Sequence, residues 1–465
     1  MIATLRAPGR REALAGLAAG IYAALVALTP GIGAKAVLCA PLIAIPLAWP
    51  ILRTPRAWLA LFFACALLLP PLPIQLGDSG PHIALLFAAA GLLIGLLRLS
   101  EWRFEIDWLA GSILVLVAII LASVAMALIY SGFAIAAASF ARVLLMGISA
   151  YVFLYVGQGP GRMQAAQGFR WIRWLFWAAA LSALFACVDF YYQFPAPAGY
   201  EQQFIWLDTG VFRRAQGVFY EASTLGNLCA FFLVMIAVAL FRPRRADSFS
   251  LFSLLAGGSA LAVALVLSYS RASVINLAVA MVVLVWFHRD RIRWRRLTLA
   301  AAFLIAGLAL LGAASPIFSA AYWQHLGTVF QFFSESPDTV LSGRVQSWQT
   351  LVAFLASHPL HMLAGVGYKT LPYSDFIGTT AIGDNTYLTL LAETGILGLA
   401  AVVLLNAAIL VRAYRAARSA DDLRSFCGIW MLCFWSGQAV QMFSADLLTY
   451  WRILPVYFFV LALAV

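Results

Sequence analysis

Residues 108–130, WLAGSILVLVAIILASVAMALIY, run for more than twenty positions without a charge. Residues 136–157, AAASFARVLLMGISAYVFLYVG, follow after a five-residue break with one arginine, Arg142. A helix rises about 1.5 Å per residue, so each stretch covers the roughly 30 Å of a bilayer's hydrocarbon core. The same pattern extends in both directions. Apolar runs recur at 12–29, 36–50, 57–73, 82–98, 174–190, 221–241, 249–269, 272–287, 297–314, 385–411, 425–444 and 451–465. Span 36–50 and the last are short enough to be re-entrant or tilted. Across all 465 residues, 64% are hydrophobic and 11% charged; a soluble domain is nearer half apolar and a quarter charged. A soluble enzyme, a nucleic-acid binder and a disordered tail are excluded as whole-chain readings. The expected fold is an all-α polytopic transmembrane bundle of about 12–14 helices, with the first apolar run as an anchor and not a cleaved signal.

Charge sets the expected orientation. With a cytoplasmic N-terminus, 22 of the 30 Lys and Arg fall inside, and the outer and intramembrane positions carry a net negative charge. This is the positive-inside pattern, and it accounts for the basic balance of the chain without nucleic acid. The arginine-rich segment His288–Arg296 is read first as an orientation signal and second as a surface for anionic lipid. All six cysteines lie in apolar spans without ligand spacing, and Pro359 interrupts the pair His358 and His361. No metal, cofactor or disulfide framework is expected.

Cations are sparse on the outer side, so each needs a reason. Arg213 and Arg214 lie in a loop from about Tyr191 to Tyr220. Arg271 sits in the polar break Ser268-Tyr269-Ser270-Arg271-Ala272-Ser273. Arg344 and Lys369 lie in a segment from Ser315 to Asp384, far beyond ordinary loop lengths. In that segment Val345, Trp348, Leu351, Val352 and Leu355 recur at helical spacing, with Ser342 as a cap and Pro359 beyond the end. An amphipathic helix is expected there, lying flat on the outer leaflet or across the mouth of the bundle. An arginine in its first turn opposes the helix dipole, so helix stability does not explain Arg344. Arginine matches phosphate oxygens bidentately and stays charged. Arg213 or Arg214, Arg271, Arg344 and Lys369, with Asp384 and Glu393 near them, therefore suit a lipid-linked pyrophosphate, a carboxylate serving as base toward a sugar hydroxyl. Two plainer readings stand beside this. Arg271 at a helix end also suits snorkelling, and Asp384 also suits capping of the next helix. Glu393 lies inside an apolar helix, where a carboxylate calls for a partner or a function. Arg142, Asp189, Arg452 and Asp446 are candidates for pairs inside the bundle.

At these residues the chain resembles the O-antigen ligase / O-antigen polymerase superfamily of bacterial membrane glycosyltransferases, from about Arg213 to Leu399. Arg214-Ala215-Gln216-Gly217-Val218-Phe219 is similar to the family's Arg-x-x-Gly-x-Phe segment, and Ser270-Arg271-Ala272 to its Ser-Arg motif. Gly343-Arg344 with Trp348, His358-Pro359 and Gly365-Val366-Gly367 resembles its large outer loop. Asp384-Asn385, followed by nine residues and then Gly395 and Gly398, resembles the signature closing that loop. The resemblance implies an inverting transferase at the periplasmic face of the inner membrane, using an undecaprenyl-pyrophosphate-linked oligosaccharide donor and no nucleotide. Arg214 and Arg271 would hold the pyrophosphate and Asp384 would be the base; Arg213, Arg344, Lys369, Tyr387 and Glu393 complete the expected site. The acceptor would be a glycan or lipid A core, and membrane lipids and a chain-length regulator are further partners. Asp384 stands where ligases have His, and Glu221-Ala222-Ser223 stands where Pro-Asn is usual. Both departures favour polymerase over ligase. A lipid-linked oligosaccharide transporter is the competing class, and the chain shows no internal repeat of the kind transporters carry. The expected segments are 1–190 and 191–314 (N-terminal and central helices), 315–384 (large periplasmic loop) and 385–465 (C-terminal helices).

Overall fold

The computed structural model describes residues 20–29, 31, 35, 53–74, 81–197, 199–207, 210–241, 249–289, 324, 327, 344–373 and 383–465. The expected spans 36–50 and 297–314, and the proposed cap Ser342, lie outside them. The helices are α1 (Ala57–Leu68), α2 (Ala84–Leu97), α3 (Trp108–Gly157), α4 (Ala165–Tyr192), α5 (Ala222–Phe241), α6 (Leu251–Leu267) and α7 (Arg271–Phe287). They continue with α8 (Arg344–Ser357), α9 (Pro359–Ala364), α10 (Thr386–Ala417), α11 (Asp422–Gln441) and α12 (Leu454–Leu463). Four of them, α3, α4, α5 and α10, are long and apolar enough to cross a membrane, and α1, α2, α6, α7 and α12 are shorter apolar helices. The chain is an all-α polytopic membrane protein.

Two compact units divide the chain, Met1–Ala60 and Leu61–Val465. Among the described residues of the first, 20–28 are helical. In the second, α11 lies against α10 and α7, and α12 against α3. Every residue of α12 is buried; a helix apolar on all sides belongs inside other helices. At ten residues it covers only about 15 Å, so it does not span the membrane alone. The paired β1 (Phe204–Leu207) and β2 (Gly210–Arg213) were not expected. They form an antiparallel hairpin in register Phe204↔Arg213 to Leu207↔Gly210.

An amide cluster ties α5, α7, α11 and α12 together. Asn227 Nδ2 donates to Gln438 Oε1 (2.9 Å) and Gln441 Oε1 (2.8 Å), and Asn276 Nδ2 donates to the same two oxygens. The Tyr457 hydroxyl donates to Asn227 Oδ1 (2.5 Å). Such interhelical bonds hold helices where hydrophobicity alone gives no preference. Arg452, ahead of α12, pins three carbonyls: those of Ala66 (2.9 Å), Leu69 (2.6 Å) and Val218 (2.5 Å). It forms no carboxylate pair among the described residues, which corrects its expected role in an ion pair.

Both long helices break where glycine permits it. Within α3, Gly132 has φ 80°, in the expected gap between the two runs. Within α10, Gly395 has φ 73°, a left-handed conformation that non-glycine residues rarely adopt. The break frees the carbonyls of Ala392 and Glu393, which accept from Val366 N (3.1 Å) and Gly367 N (2.8 Å). The turn Gly365–Lys369 is thereby clamped to α10. On its other side Tyr368 N–H meets Ser123 Oγ (3.2 Å), its carbonyl accepts from Ser139 Oγ (2.6 Å), and Arg142 Nη1 donates to the Lys369 carbonyl (2.8 Å).

Two outcomes follow from this packing. Arg452→Met leaves three carbonyls, those of Ala66 and Val218 in buried contacts, without their charged donor, and we expect a loss of at least about 2 kcal/mol, read as a lower midpoint for the detergent-solubilised protein; Arg452→Lys recovers only part of it. Gly395→Ala places a Cβ against the Leu363 carbonyl in a left-handed backbone. Its expected cost exceeds the roughly 1 kcal/mol of a tolerated helix glycine change, and a midpoint equal to wild type would refute the clamp.

Candidate functional site

The hairpin delivers the first arginine. Arg214 leaves β2 and lies against the turn between α6 and α7: Ala215 N donates to the Leu267 carbonyl (2.9 Å), and Arg214 Nε donates to the Ser268 carbonyl (2.9 Å). Among the described residues its two terminal nitrogens have no hydrogen-bond partner. Removal from water pulls the guanidinium down to about 10, with Arg344 and Arg271 nearby adding to the effect. It is still charged at neutral pH. Arg271 is the first residue of α7, three residues past the carbonyl that anchors Arg214. Ser270 Oγ and Ser273 Oγ hydrogen-bond each other beside it (2.8 Å).

The other charges arrive from the long loop. The amphipathic helix forms as α8 and opens at Arg344. Leu351, Phe354 and Leu355 are buried with Val366, Leu371 and Ala392, so the helix lies on the clamped turn and α10. Val352, expected on that face, is 56% exposed, and Phe354 takes its place. Arg344 Nε donates to Asp384 Oδ2 (3.0 Å). Asp384 is not the cap of α10. Asn385 is, its side chain accepting from Leu388 N (3.1 Å). Lys369 is ion-paired with Asp446, and burial lowers its ammonium from the ordinary lysine value.

Arg214, Arg271, Arg344, Lys369 and Asp384 thus gather at one end of the bundle, where α5, α7, α8 and α10 all begin. Helix N-termini carry partial positive charge, so helices and side chains add to one field that attracts an anion. The remaining expected site residues are engaged by the protein itself. Arg213 Nη2 binds Asp189 (3.2 and 3.3 Å), both side chains buried. The Tyr387 hydroxyl donates to the Ala439 carbonyl (2.9 Å) and accepts from Asn406 (3.1 Å). Glu393 is buried and accepts from the Lys369 backbone N–H. Asp189 therefore pairs with Arg213 and Asp446 with Lys369, while Arg142 binds a carbonyl.

Two groups join the cluster that the sequence reading left out of the site. Glu221 lies between the Gly217–Phe219 turn and α5, half-buried, its carboxylate accepting from Thr224 Oγ1 (2.5 Å). Burial raises it above the ordinary carboxylate value; Asp384 adds to this, while the Thr224 bond, Arg214 and Lys369 act against it. Tyr450, ahead of α12, is buried, hydrogen-bonded to Ser223 and close enough to Glu221, Asp384 and Arg214 to feel their charges. A signal existed for Glu221, an acid two residues past the end of the Arg-x-x-Gly-x-Phe segment. None existed for Tyr450.

Three of the four left-handed non-glycine residues among those described lie at the site; the fourth, Gln193 (φ 55°), ends α4. Tyr220, Tyr269 and Lys369 have φ of 55°, 50° and 58°. They stand immediately before Glu221, one residue before Ser270-Arg271, and at the lysine itself. Each left-handed non-glycine residue costs about 1–3 kcal/mol and persists only where surroundings force it, most often at functional sites.

No curated protein matches the chain. Residues 256–403 match the family model described as O-antigen ligase, a segment that includes Arg271, Arg344, Lys369, Asp384 and Glu393 and begins beyond Arg213 and Arg214. Over that segment, about a third of its length, the chain is similar to the O-antigen ligase family.

Proposed function

We propose that the protein is a bacterial inner-membrane glycosyltransferase that polymerises undecaprenyl-pyrophosphate-linked glycan at the periplasmic face, as an O-antigen or exopolysaccharide polymerase. The observation that carries this reading is the cation cluster. Arg214 and Arg271 flank one backbone turn, and Arg344 is close enough to influence both. Glycosyl transfer from a pyrophosphate donor needs stabilisation of the negative charge that builds on the leaving group. Fixed guanidinium groups at the converging helix ends supply it. With the N-terminus cytoplasmic, this end faces the periplasm, at headgroup depth for a lipid-linked donor. Asp384 orients Arg344 through their ion pair. The polymerase preference over the ligase rests on Asp384 in place of His and Glu221-Ala222-Ser223 in place of Pro-Asn. Both alternatives use the same arginines and differ in the acceptor.

Complementation of a deletion strain tests this. Arg214→Ala and Arg271→Ala should each lower glycan assembly by about 100-fold or more with protein level and membrane insertion unchanged, and lysine at either position should restore part of it. Single repeats capped on lipid A core mark a lost polymerase. Full-length glycan stranded on the carrier marks a lost ligase, and wild-type glycan from both alanine variants refutes the site.

A further inference from the structure

The two carboxylates at the site differ in what they already hold. Asp384 is bound by Arg344 at 3.0 Å. The Glu221 carboxylate forms no ion pair among the described residues, and the one hydrogen bond it accepts there comes from the Thr224 hydroxyl. Its position at the start of α5 suggests a helix cap, which would accept from the N–H of Ser223 or Thr224. Among the described residues neither donates to the carboxylate, and the N–H of Ala222 is met by Gln203 Oε1 (3.0 Å), so helix capping does not account for the side chain. The left-handed Tyr220 turns the chain immediately before it. The Gln216 side chain braces that residue by donating Nε2 to the Tyr220 carbonyl (2.8 Å) and to the Glu201 carbonyl (3.0 Å).

We propose that Glu221 is a further catalytic residue of this site, its carboxylate taking the proton from the acceptor sugar hydroxyl as that oxygen attacks the donor's anomeric carbon. The inference rests on the transferase reading above. In this step the acceptor O–H bond breaks and its proton passes to Glu221. The acceptor oxygen bonds to the anomeric carbon, and the bond from that carbon to the pyrophosphate oxygen breaks. The electron pair leaves with the lipid pyrophosphate, whose added charge meets Arg214 and Arg271. Glu221 then returns the proton to water. A base works best with its pKa near the operating pH, and burial moves Glu221 in that direction.

The charged and titratable groups around Glu221 come from four directions: Arg214 from the hairpin exit, Lys369 from the clamped turn, Asp384 ahead of α10 and Tyr450 ahead of α12. Only the deprotonated carboxylate accepts a proton, so the rate should rise with pH through a limb lying above the ordinary carboxylate range.

The test uses membranes carrying the full chain and lipid-linked oligosaccharide extracted from the deletion strain, with single-turnover rates followed against pH. Glu221→Gln, nearly isosteric, should lower the rate by about 100-fold or more and abolish the acid limb. Glu221→Asp should keep part of the rate with a shifted limb. Asp384→Asn should lower the rate while retaining the limb. If Arg214→Ala and Arg271→Ala are inactive but Glu221→Gln keeps the wild-type rate and limb, the base assignment falls and the transferase reading stands. If all of these variants are active, the transferase reading falls as well. Loss of the limb in Asp384→Asn instead overturns the assignment in favour of Asp384. If Glu221→Gln accumulates poorly, the aspartate variant decides: a moved limb supports the role and an unmoved one refutes it.

Discussion

A carboxylate buried in an apolar bundle must be answered by the protein, because water does not reach it. Glu393 is such a group, and much of the site's geometry follows from how it is answered. Its partner is the backbone N–H of Lys369, so the turn Gly365–Lys369 has to lie against α10. The break at Gly395 makes that possible by freeing two carbonyls that the same turn bonds. Once the turn is seated, α8 has a surface on which to bury Leu351, Phe354 and Leu355, and its first residue, Arg344, comes within reach of Asp384. Four elements are thus positioned by meeting one buried carboxyl group and two orphaned carbonyls.

The opposite wall is built by backbone contact. The exit of β2 bonds the last carbonyl of α6 and the first of the turn beyond it. Arg214 and Arg271 therefore share a rigid support, although nearly sixty residues separate them. The amide cluster of Asn227, Asn276, Gln438 and Gln441 lies further along α5, α7 and α11 and holds the same helices together. Its groups are uncharged, so it joins the helices without competing with the arginines for an anion.

Much of this was legible in the sequence and some was not, for physical reasons. Membrane helices announce themselves through length and hydropathy, and the runs at 221–241 and 272–287 reappear as α5 and α7 within a residue. The interruption of α3 near Gly132 and the amphipathic α8 were also readable, since both depend on local periodicity. The hairpin was missed although Phe204-Ile205-Trp206-Leu207 and Val211-Phe212-Arg213 flank a short turn-forming stretch; a few residues inside a loop carry little periodic signal. Pairings were the least legible. Lys369 binds Asp446, 77 residues away, and Arg213 binds Asp189. Nothing local distinguishes Arg213 from its neighbour Arg214, yet strand alternation sends the one to a buried carboxylate and leaves the other at the turn between α6 and α7.

The left-handed residues show what this support accomplishes. Tyr220, Tyr269 and Lys369 each stand at the entry to a charged group of the site, and each is fixed by contacts made elsewhere: the Gln216 side chain at the Tyr220 carbonyl, the Val266 carbonyl at the Tyr269 N–H, and Arg142 with Glu393 at Lys369. A flexible loop would relax such strain and let its arginines move toward water, where they are best solvated. Strain held by packed helices keeps the guanidinium groups half-buried before any substrate arrives. Preorganised charge of this kind costs no reorganisation when negative charge develops. The stability that the bundle gives up at three backbone positions is therefore recovered as electrostatic readiness at the one end where α5, α7, α8 and α10 begin.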